Sequence, residues 1–381
     1  MADNAHHRLA ERQKLKRLLL AGRNVLMLAP RRIGKTWLMK QLEGDVLEDG
    51  YNCIRIDVEG VRTENDFLRI LCQEIDGKQE VTESVTAFLK AKLNQIKCGT
   101  SGETISQMIG SMDPRVFSET LIGALNRREG RTLVLIDEFS LFIWEQARQN
   151  ADATRTLLYH LRRLQQEFTN VSWLLTGSVG LDVVARRFNL EGAFLDFEVF
   201  PLDPFTEEEA RSFLAEQFDR NLIGERFDFG EGAFACLVRE LGWLSPYYLS
   251  HVARCVRATD RPDPDGTAVA TEADILQAFD TLLSPRHQTY FAPWREHIQK
   301  NFLADETDRL RAILAKCCER TDGEREDTLL GHIASTFPGF SRRNLKDLLM
   351  SLGSDGYLVK DRERWRFRSG LLRRYWLDYV A

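Results

Sequence analysis

Eight residues, from Ala29 to Thr36, read "APRRIGKT" and end in the triplet Gly-Lys-Thr. Gly34 would let the backbone approach phosphate oxygens closely. The Lys35 ammonium could reach β- and γ-phosphates, and the Thr36 hydroxyl could coordinate Mg²⁺. Backbone N–H groups of the loop and of the first helical turn would point at the same oxygens. The chemistry indicated is the binding of ATP with Mg²⁺.

The elements needed to position this loop are present around it. The apolar run "NVLMLA", 24–29, predicts a buried parallel strand, and apolar residues after Thr36 recur at helical spacing. The motif requires this order of strand, loop and helix. Ala29 stands where the motif has its first glycine, which is tolerable if its φ is negative; a chance Gly-Lys-Thr on a helix is the alternative. The residues predicted to contact the nucleotide here are Ala29, Pro30, Arg31, Arg32, Ile33, Gly34, Lys35, Thr36 and Trp37.

Two acidic residues end a second apolar run, "TLVLIDEF", 132–139. Ligands of open α/β sheets bind beyond the carboxyl ends of the strands, so both acids should lie beside the loop. Asp137 would hold Mg²⁺ directly or through water, and Glu138 would polarise the attacking water as general base. The alternative is that both acids are merely solvated at a strand end.

A third apolar run, "VSWLLTGSVG", 171–180, ends in hydroxyl residues. Thr176 or Ser178 could reach the γ-phosphate or orient the water; otherwise they belong to a turn that caps the next helix. One short helix later come Arg186 and Arg187. They could stabilise the charge that spreads over the γ-phosphate oxygens, or they could simply suit a helix C-terminus.

Composition excludes several protein classes. The 381 residues are 43% hydrophobic and 29% charged, with a formal net charge of −5, so no global charge indicates nucleic acid or a membrane. Seven unevenly spaced cysteines predict inert thiols in a reducing compartment. No apolar run approaches 18 residues, and the N-terminus is polar. We expect a cytoplasmic protein with no membrane partner.

The stretches "NVLMLAPRRIGKTWL", "TLVLIDEF", "WLLTGS" and "LGWLSPYYL" resemble the archaeal-type ATPases of the STAND group, within the AAA+ proteins and near the origin-recognition ATPases. The stretch at 10–23 resembles the family's Arg-containing N-terminal helix. The resemblance implies an ATP-binding switch, often a slow ATPase, with a neighbouring subunit supplying an arginine finger at the position of Arg186 and Arg187. Its lid motif, Gly-any-Pro, is lengthened here to Gly242 through Pro246, and implies that Pro246 contacts the nucleotide.

The predicted fold class is α/β: a parallel five-stranded P-loop core of the AAA+ kind, a helical lid and a C-terminal winged helix. The predicted boundaries are 1–204 for the ATPase domain, 205–283 for the lid and 284–381 for the winged helix. The second strand is predicted at 52–60, and the fifth strand with its exit loop at 196–205. Thr206 and Glu209 predict a capping box. The polar stretch 77–113 is interpreted as an inserted arm or mobile loop.

The winged helix carries a local basic excess: residues 341–374 contain ten Arg or Lys and four Asp or Glu, a difference of +6. These cations could hold the phosphates of duplex DNA, or the module could pack on the core or a partner while its arginines pair with acids. The residues predicted to contact DNA are Arg342, Arg343, Lys346, Arg362 and Arg364.

Three functions remain open at this point. The first is an ATPase switch whose nucleotide state controls self-assembly or a separate effector protein. The second is a DNA-binding regulator with a structural nucleotide, and the third is a non-hydrolysing scaffold in a multi-protein complex. An intact Glu138 favours the first over the third.

Overall fold

The computed structural model describes residues 8–93, 105, 113–177, 180–260 and 266–381. By their contacts these residues divide into two compact units. The first comprises the described residues up to Ala29 and from Lys35 to Leu202, and the second comprises Pro30–Gly34 with the described residues from Asp203 to Ala381. The predicted loop is therefore split: its ends belong to the first unit, whereas its middle five residues pack within the second.

A five-stranded parallel sheet forms the centre of the first unit, in the order β2-β3-β4-β1-β5. Because β4 pairs with both β3 and β1, the carboxyl ends of these three strands are adjacent. The sheet confirms the predicted five-stranded core. Its strands are Asn24–Leu28 (β1), Asn52–Asp57 (β2), Thr132–Asp137 (β3), Val171–Thr176 (β4) and Phe197–Pro201 (β5).

The central strands are continuous apolar runs because helices cover both faces of the sheet. All six residues of β3 and all six of β4 are buried, as expected for parallel strands. The helices of this unit are Leu9–Leu20 (α1), Lys35–Glu48 (α2), Glu64–Asp76 (α3), Gln79–Leu93 (α4), Pro114–Asn126 (α5), Phe139–Gln149 (α6), Ala151–Glu167 (α7) and Leu181–Arg187 (α8).

The prediction of a mobile loop or arm at 77–113 is wrong for much of that stretch. Residues 79–93 form α4, which packs against α3 and α5 and buries Val81, Val85 and Leu89 in the core. These apolar positions recur every four residues, which is helical spacing; the surrounding polar residues obscured it. Residues 94–104 and 106–112 lie outside the described part of the chain.

The second unit is mainly helical. The predicted capping box is confirmed at its start, where Thr206 Oγ1 accepts from the Glu209 N–H and the Glu209 carboxylate accepts from the Thr206 N–H. The helices are Glu207–Asp219 (α9), Ala233–Leu241 (α10), Pro246–Cys255 (α11), Glu272–Leu283 (α12), Ala292–Asn301 (α13), Ala304–Cys318 (α14), Glu326–Thr336 (α15), Arg342–Ser354 (α16) and Gly370–Tyr379 (α17).

Three of these helices and a hairpin make the winged helix. They are α14, α15 and α16, followed by the antiparallel pair of strands Leu358–Asp361 and Arg364–Phe367. Ser341 caps α16 by accepting from the Asn344 N–H. Helices α13 and α17 were not predicted. Helix α17 packs on α10, α12 and α14, so the predicted lid and the predicted winged helix lie in one compact unit.

No helix in the described ranges is both long and apolar enough to span a membrane.

Candidate functional site

The loop between β1 and α2 contains two residues in the left-handed region, Arg32 at φ 66° and Gly34 at φ 96°. Glycine adopts this region freely, whereas Arg32 is there at a cost on the order of 1 kcal/mol. Left-handed residues of this kind build the concave rows of backbone N–H groups that bind anions. Ala29 has no positive φ, so a methyl group is accommodated where the motif has glycine.

Lys35 begins α2 and reaches back across the loop. Its Nζ donates to the Ala29 carbonyl at 2.9 Å, and only 7% of the residue is exposed. Phosphate oxygens, which are charged, would be stronger partners for this ammonium than a neutral carbonyl. Ile33 is buried, and Trp37 is half-buried in the first turn of α2.

The predicted acid is joined directly to the loop. Thr36 Oγ1 donates to Asp137 Oδ2 at 2.6 Å, and the Glu138 N–H donates to Asp137 Oδ1 at 3.0 Å. Burial raises the pKa of Asp137 above its usual range, and the charges of Glu138 and Asp57 raise it further, whereas the Thr36 hydrogen bond lowers it. Asp57 is the register partner of Asp137 on β2. A cation beside Asp137 would relieve this electrostatic cost.

Glu138 precedes α6 in the left-handed region, at φ 56°. A non-glycine residue in this conformation carries a cost of about 1–3 kcal/mol, which surrounding structure must sustain. Such outliers cluster at functional sites. Glu138 is half-buried at the carboxyl end of β3, and its N–H donates to Asp137.

Two buried hydroxyls lie where β4 ends. Thr176 Oγ1 and Ser140 Oγ have no hydrogen-bond partner within the described residues, which is uncommon for buried polar atoms. A Cβ at Gly177 would collide with Ser140 Oγ, so the strand end requires glycine there. Ser178, the other predicted hydroxyl, lies outside the described residues. Ser140 was not predicted, because nothing in its local sequence indicates that it packs against Gly177.

The two predicted arginines end α8 in different surroundings. Arg186 is exposed, whereas Arg187 is half-buried with its guanidinium carbon 5.1 Å from the centre of the Trp144 ring. Arg187 therefore has an aromatic contact within its own chain. Arg186 is the more accessible of the two to a neighbouring molecule.

The lengthened lid motif packs against the middle of the loop. Pro246 begins α11, and its ring lies 3.7 Å from the position that a Cβ of Gly34 would occupy. Ser245 Oγ donates to the Arg32 carbonyl, and the Arg32 guanidinium lies 4.3 Å from the centre of the Tyr247 ring. These contacts, all within the second unit, link the motif to the loop itself. Ser245 and Tyr247 were not among the predicted residues.

The predicted DNA-contacting cations fall into two groups. Arg342 pairs with Asp327 at 2.6 Å, and Arg364 pairs with Asp322 at 3.5 Å. The other three are exposed and form no ion pair within the described part of the chain; they are Arg343, Lys346 and Arg362. Arg343 and Lys346 lie on α16, and Arg362 forms the wing turn at φ 53°.

Comparison with known proteins gives likenesses of structure. No protein-family model and no curated protein match the sequence. A Walker-type ATPase of Pyrococcus abyssi superposes with a TM-score of 0.66 at 16% identity, covering 98% of this chain and 96% of that one. The ORC2 protein of Aeropyrum pernix, solved in ADPNP-ADP complexes, gives 0.53 at 14% identity, covering 95% and 89%. At such identities the likeness shows the fold alone, and it agrees with the predicted α/β class with a five-stranded parallel core.

Proposed function

We propose that the protein binds ATP with Mg²⁺ and hydrolyses it slowly, as a molecular switch. Lys35 and the loop N–H groups hold the phosphates, Thr36 and Asp137 hold the metal, and Glu138 acts as general base on water. The nucleotide state controls self-assembly or a separate effector protein, as in the STAND group that the sequence resembles.

The observation that carries this proposal is the hydrogen bond from Thr36 to Asp137. It joins the end of the phosphate loop to the acid of β3 at 2.6 Å, across 101 residues of sequence. Two oxygen atoms that can coordinate a metal, the neutral Thr36 hydroxyl and the anionic Asp137 carboxylate, therefore lie side by side at the end of the loop. An accidental Gly-Lys-Thr has no reason to lie against a buried carboxylate.

The donor set suits Mg²⁺ in the presence of a nucleotide. No group of three or more His, Cys, Asp or Glu within the described residues could hold a metal ion by itself. Mg²⁺ commonly takes one or two protein oxygens and completes its shell with water and phosphate oxygens. Bound there, it would supply charge that stabilises the transferring phosphoryl group.

Nucleotide binding is tested by thermal melting and calorimetry. Ligand binding to the native state raises the melting temperature by mass action, so millimolar ATP with Mg²⁺ should stabilise the wild-type protein. Lys35→Ala should abolish the shift. Lys40→Ala, an exposed lysine on the same helix, is the matched control and should keep it. No shift and no heat in the wild-type protein would refute the proposal.

A second candidate activity, binding of duplex DNA, has its own supporting observation. Arg343, Lys346 and Arg362 are exposed cations without an ion pair in the described structure, on the helix and wing that winged-helix modules present to DNA. Their side chains could hold phosphates. Arg342 and Arg364 instead form ion pairs within the module.

A further inference from the structure

The middle of the phosphate loop is supported by residues that follow it by more than 200 positions. Pro30–Gly34 pack within the unit that contains Asp203–Ala381. Two contacts converge on Arg32: the Ser245 hydroxyl binds its carbonyl, and the Tyr247 ring faces its guanidinium at 4.3 Å. Neither Ser245 nor Tyr247 is needed for any step assigned above.

The contact on the Arg32 carbonyl controls the direction of a backbone donor. The Arg32 C=O and the Ile33 N–H belong to one planar trans peptide, so they point in opposite directions. Fixing the carbonyl on Ser245 therefore fixes the Ile33 N–H on the other side. Since Arg32 is a non-glycine residue at φ 66°, the isolated loop would favour a negative φ, which would turn this peptide away.

The ring that faces Arg32 is itself held in place. Tyr247 makes edge contacts with Tyr248 and His251, at centroid distances of 5.4 and 4.3 Å, and its hydroxyl donates to the Tyr290 carbonyl at 3.3 Å. Burial lowers the pKa of His251 to about 4, aided by nearby Arg254 and Arg32. The imidazole is therefore neutral near pH 7 and does not repel the guanidinium.

We propose that Ser245 and Tyr247 are positioning residues: acting through Arg32, they hold the loop in its phosphate-binding shape before the nucleotide arrives. This inference rests on the proposed function, because the ligand of the loop is taken to be a nucleoside di- or triphosphate. A binding surface that is already ordered loses less entropy on binding. The contacts of Ser245 and Tyr247 should therefore increase the affinity for the ligand.

The test measures ADP and pyrophosphate binding by calorimetry with the full-length protein. Ser245→Ala and Tyr247→Leu should each weaken both ligands about 5-fold, the effect of one modest hydrogen bond or cation–π contact. Tyr247→Phe keeps the ring and should bind within about 2-fold of wild type. Ser250→Ala, a half-buried serine on the helix that follows Ser245, is the control for Ser245.

A second comparison separates positioning from general damage. Arg32→Gly removes the guanidinium and also the cost of the left-handed backbone. In that background Tyr247→Leu should weaken ADP binding by less than 2-fold, whereas a general loss of folding would be the same in both backgrounds.

Wild-type affinity in Ser245→Ala and Tyr247→Leu would overturn the inference and leave the proposed function standing. Equal losses of affinity in both Arg32 backgrounds would overturn it as well. A wild-type protein that binds neither ADP nor pyrophosphate would overturn the proposed function first, and the inference with it.

Discussion

Glu138 is the residue on which turnover should depend. Glu138→Gln preserves size and the left-handed backbone but removes the base, so ATP binding should persist while kcat falls about 10²–10⁴-fold, the usual contribution of a general base. Steady-state phosphate release and ATP calorimetry measure the two effects. Glu145→Gln, on the helix that follows Glu138, is the control. Turnover at the wild-type rate in Glu138→Gln would assign the base elsewhere.

The buried charge of Asp137 should lower the free energy of unfolding of the nucleotide-free protein. Asparagine can satisfy both partners: its oxygen accepts from the Glu138 N–H, and its amide donates to the Thr36 hydroxyl, which can rotate to accept. Relief of this electrostatic cost should raise the melting temperature of Asp137→Asn, by about 1 °C for each kcal/mol in a chain of 381 residues. The stabilisation by Mg²⁺ with ATP should be lost in the same variant.

The pH dependence of this effect has a definite sign. The folded-state pKa of Asp137 is raised, so the contribution of this group to stability is present at acid pH and is lost as pH rises through that pKa. The advantage of Asp137→Asn should therefore grow between about pH 4 and pH 7. Melting curves across that range check it, and an advantage that shrinks with pH would contradict the assignment.

At the residue scale, sequence indicated the groups that form a contiguous motif or end a strand. Lys35, Thr36, Asp137 and Glu138 were predicted because their spacing and strand context are local signals. Ser140 and Tyr247 were not, since their importance arises from contacts with Gly177 and Arg32 that only the folded chain creates. Residue type alone cannot reveal such pairs.

At the element scale, the winged helix should bind duplex DNA through its unpaired cations. Affinity should fall steeply with salt, and each phosphate contact removed should lower the slope of log K against log salt by about 0.9. Arg343→Ala combined with Lys346→Ala should lower the slope by about 1–2. Arg342→Ala removes a cation already paired with Asp327 and should change it less.

Fluorescence anisotropy with a labelled duplex, titrated from about 50 to 200 mM salt, measures these slopes. No binding at the lowest salt would favour the alternative, in which the module packs on protein. Equal slopes for Arg342→Ala and the double variant would contradict the division of the cations into paired and unpaired groups.

Element boundaries were predictable where the side chain next to the element caps it. Thr206 and Ser341 satisfy the first N–H groups of their helices, and this pattern is visible in four consecutive residues. Helix α17 was not predicted because its apolar face packs on α10, α12 and α14, which are distant in sequence. Helices of this kind are stabilised by tertiary packing more than by propensity.

At the scale of the whole molecule, the exposed Arg186 should act on the nucleotide of a neighbouring copy. Glu138→Gln and the variant Arg186→Ala/Arg187→Ala should each be inactive alone, and mixing them should restore part of the activity. Mixed assemblies contain interfaces with both the base and the finger intact. Specific activity of the wild type should also rise with protein concentration.

Co-assembly without restored activity would argue against a shared site. A double-arginine variant with full activity would leave these residues as a helix end, with Arg187 packed on Trp144. Arg187→Ala alone is the informative control, since its loss removes the contact within the chain and retains Arg186.

The placement of Pro30–Gly34 has a consequence for how the chain can be divided. A fragment that ended at Leu202 would contain the complete sequence motif, Ala29–Thr36, and the entire parallel sheet. It would nevertheless lack the surfaces on which the motif folds, including Gly356, where an added Cβ would lie 2.7 Å from Pro30. We therefore expect such a fragment to contain the motif and yet fail to bind nucleotide. Binding should require that residues 203–381 be supplied as well, for example as a second chain.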